Sequence, residues 1–166
     1  MRVISIIITA VLLTACQISI AQTDPDPTVT AQEYVGLQER QDRTAIRELV
    51  GVDPVRTEWC AAFVNAILEL DGIPGSSSVS EHPLMARSFL QWGTHVNHED
   101  IQRGDLVVFP RGKQGWQGHV GFFVAEKDGE WLILGGNQDN TVSYKFYNPR
   151  TALGIRRATT INTTVQ

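Results

Sequence analysis

The spacing of apolar positions divides this 166-residue chain into two halves. In the first half, hydrophobic residues recur three and four apart. Cys60, Phe63, Val64, Ile67 and Leu68 form one such stripe, the mark of a helix packed along one side. Thr57 stands ahead of it as a candidate cap, and Asp71-Gly72-Ile73-Pro74 supplies stop signals. Between Asp42 and Val50, Ile46, Leu49 and Val50 share a face, and Gly51 ends the stretch. Thr30-Ala31-Gln32-Glu33 has the form of a capping box and predicts a short helix starting at Thr30. Leu84, Met85, Phe89 and Trp92 predict another helix over Ser80 to Trp92, with Pro83 in its first turn and Gly93 beyond its end.

After Gly104 the period shortens. Asp105 to Phe109, His119 to Ala125, Glu130 to Leu134, Thr141 to Phe146 and Leu153 to Arg157 read as strands separated by Gly, Pro, Asn and Asp clusters. Helices followed by short strands predict an α+β domain in which N-terminal helices pack on an antiparallel five-stranded meander. No internal repeat or second domain is visible, and Thr159 to Gln166 reads as a loose polar tail.

The first segment does not belong to that fold. Arg2 precedes an apolar run from Val3 to Leu13, well short of the ~20 residues a membrane-spanning helix needs and suited to a signal peptide. Leu13-Thr14-Ala15-Cys16 resembles a bacterial lipobox, in which the cysteine is lipidated and becomes the first mature residue. Ordinary cleavage after Ser19-Ile20-Ala21 is the alternative, and would release a soluble periplasmic or secreted protein. The expected organisation is a signal peptide over 1–15, a lipidated cysteine and tether over 16–30, a catalytic domain over 31–158 and the tail. Gln17 rather than Asp after the lipidated residue permits sorting to an outer membrane. Asp24-Pro25-Asp26-Pro27 is expected to stay extended.

Composition narrows the chemistry. Hydrophobic content of 42% with 19% charged residues describes a globular chain, and a net charge of −4 without basic runs argues against nucleic-acid binding. Four histidines and two cysteines show no paired ligand spacing, so a structural zinc site is not expected. If Cys16 carries lipid, Cys60 is the remaining thiol in an oxidising compartment, which favours a reactive role. Its position in the first turn of a helix lowers a thiol's pKa from its free value of ~8.5. The same position also suits a small core residue.

A nucleophilic thiol needs a base, and His119 heads the apolar strand Gly118-His119-Val120-Gly121-Phe122-Phe123-Val124. A buried structural histidine is the competing reading. Hairpin register offers a third group. With a three-residue loop at Lys127-Asp128-Gly129, Glu126 pairs with Glu130, and His119 falls opposite Asn137 on the same face. With a two-residue turn at Asp128-Gly129 every pair slips by one, and without a compensating bulge Asn137 leaves that face.

Four stretches in order, Glu58-Trp59-Cys60-Ala61-Ala62-Phe63-Val64, Gly104-Asp105-Leu106-Val107-Val108-Phe109, Gly118-His119-Val120-Gly121-Phe122 and Gly135-Gly136-Asn137-Gln138, resemble the signature of CHAP and NlpC-type cysteine hydrolases, papain-like enzymes of the bacterial cell wall. The resemblance runs from about Gly36 to Arg157. It implies a papain-like fold, Cys60 as nucleophile, His119 as base and Asn137 as the orienting residue. It also implies an amide of peptidoglycan as substrate and a thioester mechanism that needs neither a metal nor an organic cofactor. Where papain places its oxyanion glutamine, this chain has Pro54, leaving the Cys60 backbone N–H as the one donor indicated. Trp59, Trp116 and Gln117 are expected to line the groove. A non-catalytic cell-wall or protein-binding role, and acyl transfer or transpeptidation on the same fold, are the other classes; oligomeric state is not indicated.

Overall fold

The computed structural model describes residues 26–159. The expected signal peptide, Cys16, the expected tether up to residue 25 and the expected tail from residue 160 lie outside the described residues. Three helices come first: α1 (Pro27–Gln32), α2 (Arg43–Val50) and α3 (Cys60–Leu70). Six strands follow: β1 (Thr94–Val96), β2 (Leu106–Pro110), β3 (Gly118–Lys127), β4 (Glu130–Gln138), β5 (Thr141–Tyr147) and β6 (Gly154–Arg157). They form one sheet in the order β1-β6-β2-β3-β4-β5, antiparallel at every pair. The fold class is therefore α+β, with six strands in place of the expected five. The chain departs from a meander only where β6 returns to lie between β1 and β2.

The helical layer covers one face. Phe63, Val64 and Ile67 of α3, with Ile46 of α2 and Ala31 of α1, are fully buried against Val108, Val120, Phe122 and Leu134 of the sheet. Burial of side chains this size contributes about 2 kcal/mol each, which fixes α3 where short helices alone would be marginal. The opposite face carries a smaller cluster of Val107, Phe109, Phe123, Trp131, Ile133 and Ile155. Edge strand β5 is covered by the segment after α1, with Gly36 N–H donating to the Val142 carbonyl at 2.9 Å and Val142 N–H to the Leu37 carbonyl at 3.0 Å. Asp105, 2% exposed, receives two hydrogen bonds from Arg157 at 2.7 and 2.8 Å, tying β6 to the start of β2.

Three local expectations are corrected. Helix α1 begins at Pro27, with Asp26 as its cap accepting from Thr28 N–H at 3.0 Å; proline suits the first helical position because its missing N–H would have no partner there. The fold thus takes in residues assigned to the tether. Helix α3 is preceded by Trp59 at the N-cap, with no side-chain cap, so Thr57 does not serve. The helix expected over Ser80 to Trp92 is only a 3₁₀ segment, Ala86–Gln91. Tertiary bonds override its period: Asn65 donates to the Pro83 carbonyl at 2.9 Å and the Trp92 indole to the Pro74 carbonyl at 2.8 Å. Leu84, part of the apolar stripe, stays 42% exposed.

The β3–β4 hairpin settles the register by an unanticipated route. Lys127 pairs with Glu130 around Asp128 (φ 53°) and Gly129 (φ 78°), the left-handed pair of a two-residue turn. Between Phe123 and Ala125 the register then shifts, leaving Val124 as one extra residue in β3. The bulge cancels the slip and restores Phe122 opposite Leu134, the pairing that a three-residue loop would have produced. A second shift interrupts β4 against β5 between Gly135 and Gln138, where Asn137 has φ 56°. This second bulge shapes the site.

Candidate active site

The registered β3–β4 pairing ends at Phe122 and Leu134, and the N-terminus of α3 enters beside β4 just beyond, at Gly136. Gly136 makes that entry possible. A Cβ on it would lie 2.6 Å from both the Phe63 Cβ and the Trp59 ring, so helix and strand approach to a separation only glycine tolerates. Cys60 Sγ is carried to 4.0 Å from the Gly118 carbonyl oxygen and within hydrogen-bonding reach of Val120 N–H. The thiol therefore sits beside the backbone on both sides of His119, remote from it in sequence.

His119 is 2% exposed. Its ring stacks on Tyr147 at 5.5 Å between centroids and 10° between planes, and Tyr147 in turn stacks on Phe109 at 4.5 Å. His119 Nε2 lies 3.1 Å from Gln138 Oε1, which places the ring proton on Nε2. Nδ1 is buried and has no hydrogen-bond partner. Gln138 is itself held, its amide donating to the Ile133 carbonyl at 3.3 Å and to the Ser143 carbonyl. The expected partner, Asn137, is turned away: its amide donates to Glu58 Oε2 at 2.7 Å. The extra residue in β4 inverts the alternation of side chains, so the inward place passes from Asn137 to Gln138. Gln138 was missed because a bulge beside two glycines has no period to announce it. The one signal was a second amide next to Asn137.

Burial dominates the electrostatics. It raises the Cys60 thiol, against the lowering effects of Val120 N–H, Arg111 and Ala61 N–H. It lowers His119 to about 4, with Arg111 adding to the effect and Gln138 opposing it. The resting pair at neutral pH is thus thiol and neutral imidazole, with Nδ1 unprotonated and open to receive a proton. The Tyr147 hydroxyl is pushed up to about 12, mainly by burial, and remains protonated.

Cys60 opens onto a pocket of about 340 Å³. One wall is apolar, from Leu84, Met85, Ala86 and Trp116; the other is charged, from Glu58 and Arg111. Trp116 is 60% exposed there. Gln117 also lines the pocket, but its side-chain oxygen accepts from Lys113 N–H at 2.8 Å and Gln114 N–H at 2.9 Å, which closes the loop on itself. Trp59 does not line the groove. It is fully buried between α3 and β4, edge-on to Phe63, with its indole donating to Glu39 at 3.2 Å. With no side-chain cap on α3, its first backbone N–H groups are the donors beside the thiol.

Comparison with known proteins agrees with this arrangement at the level of family and fold. The family model for the CHAP domain matches residues 52–137. Among solved structures, an NlpC/P60 family protein from Bacillus cereus ATCC 10987 aligns with TM-score 0.52 and 19% identity over 80% of this chain and 39% of its own. A protein described as similar to a lipoprotein of the NLP/P60 family, from Staphylococcus aureus subsp. aureus Mu50, aligns with TM-score 0.54 and 17% identity over 81% of this chain and 41% of its own. NlpC1 from Trichomonas vaginalis gives TM-score 0.50 and 17% identity over 80% of this chain and 42% of its own. The chain thus spans less than half the length of each of these proteins. No curated protein matches its sequence.

Proposed function

This chain belongs to the CHAP domain family, and from that premise we propose that it hydrolyses an amide of peptidoglycan through Cys60, His119 and Gln138. The observation that carries the reading is the buried imidazole: Nε2 held by Gln138, Nδ1 without a partner, and a thiol against the adjoining backbone. A structural histidine that deep would be expected to satisfy both nitrogens.

As the carbonyl of the scissile amide enters the pocket, Cys60 passes its proton to His119 Nδ1 and attacks the carbon. The oxyanion meets the N–H groups at the start of α3. The imidazolium gives its proton to the leaving amine, and the amide bond breaks to leave a thioester on Cys60. Water, deprotonated by the same ring, releases the acid and restores the thiol. Gln138 keeps the imidazole in the required tautomer, and Tyr147 shields the bond between them from water. Because burial leaves both partners neutral at rest, proton transfer accompanies attack.

The leader sequence supports export, with lipidation at Cys16 anchoring the enzyme on an outer membrane facing the periplasm. The test is mass spectrometry of purified sacculi incubated with the mature protein. Wild type is expected to release defined muropeptides, and Cys60→Ala to release none while melting normally. Full release by the variant refutes the nucleophile. Transfer to an added amine in preference to water would make the protein a transferase.

A further inference from the structure

We propose that Arg111 forms a carboxylate subsite beside Cys60, selecting stem peptides with a free carboxylate close to the scissile amide; this rests on the hydrolase reading and specifies its substrate. Arg111 directly follows Pro110, which pairs with Gly118, the residue whose carbonyl lies against the Cys60 sulfur. The side chain thus springs from the end of a paired strand, not from a loop tip, and it shares the pocket wall with the thiol.

Its donors are unused. Among the described residues the guanidinium's ion-pair partner is Glu58 at 3.7 Å, beyond hydrogen-bonding distance. That same carboxylate oxygen already accepts from Asn137 at 2.7 Å. The Glu58 side chain is 78% exposed and solvated, whereas that of Arg111 is 38% exposed. A half-buried guanidinium with open donors, facing the apolar wall of Leu84, Met85 and Trp116, matches the two oxygens of a carboxylate. Peptidoglycan stem peptides present such a group on a γ-linked D-glutamate, and its carboxamide, D-isoglutamine, is the neutral counterpart of nearly the same shape. The wall with free carboxylates is the preferred substrate.

The experiment uses two synthetic muropeptides that differ only in this carboxylate or carboxamide. Wild type is expected to show a kcat/KM about 10- to 100-fold higher for the carboxylate form, the span of a charged hydrogen bond. Arg111→Met should level the two by losing activity on the carboxylate form alone, with Arg111→Lys between. Glu58→Gln, which removes the competing anion, should sharpen the preference. Equal cleavage by wild type, or an equal loss on both substrates in Arg111→Met, overturns the proposal. Calorimetry with the Cys60→Ala protein separates it from the hydrolase reading. Preferential binding of the carboxylate form supports the subsite even if wild type cleaves neither peptide, while equal binding, or binding of neither, overturns it.

Discussion

The two ends of the β3–β4 pair follow opposite rules. At the hairpin end, Lys127 to Ala125 face Glu130 to Leu132 around a tight turn, and the ladder satisfies the backbone. At the other end the registered pairing stops, α3 packs against β4 at Gly136, β4 bulges, and a cysteine stands against the strand carrying His119. The first end is regular because its backbone polar groups pair across the ladder. The second is useful because some polar groups do not: the Nδ1 of His119 and the uncapped start of α3 are buried or half-buried groups left open. Such openings cost stability, and the stacked Tyr147 and Phe109 and the close packing at Gly136 support them.

The contrast can be broken in order of expected effect. Acid attacks the open end first. The unfolded chain protonates His119 near 6.5, but the native chain does so only at about 4, so the unfolded state binds more protons between those values. Stability from this group is complete above about pH 6.5 and falls by on the order of 3 kcal/mol as the pH drops toward 4. Urea unfolding at pH 7 and pH 4.5 measures this, and His119→Gln should flatten the difference. Next, Gln138→Ala should lower kcat/KM on muropeptides by about 10²-fold by freeing the ring, whereas Asn137→Ala should change it only a few-fold. Equal losses would restore Asn137 to the site. Smallest is Gly136→Ala, which drives a methyl into Phe63 and Trp59 and should cost about 2 kcal/mol in chemical denaturation. The same change at exposed Gly115, where a Cβ meets nothing within 4 Å, should cost little.

The same contrast explains what the amino-acid pattern made legible. The α3 stripe, the α2 end at Gly51 with φ 72° and the five principal strands all follow from periodicity and glycine placement, which act over a few residues. Cys60 and His119 stood out because each opens a periodic element. Asn137 was chosen by counting pairs, and that count held as far as Phe122 and Leu134 because one bulge cancelled one slip. It failed at the next bulge, where the close approach of α3 to Gly136 bends β4; that contact joins residues far apart in the chain and leaves no local mark. Trp59 was misplaced for a similar reason. An aromatic next to a nucleophile suggests a groove, but packing against Phe63 and β4 turned it inward. The short strand β1 and the 3₁₀ segment at Ala86–Gln91 likewise depend on partners distant in sequence.

The central claim is that His119 serves the Cys60 thiol, and it can be tested without any substrate. The rate of Cys60 alkylation by iodoacetamide at pH 7, located by peptide mass spectrometry, should fall at least about tenfold in His119→Ala, because the buried thiol then has no base to take its proton as it attacks. Equal rates in the two proteins would contradict the account.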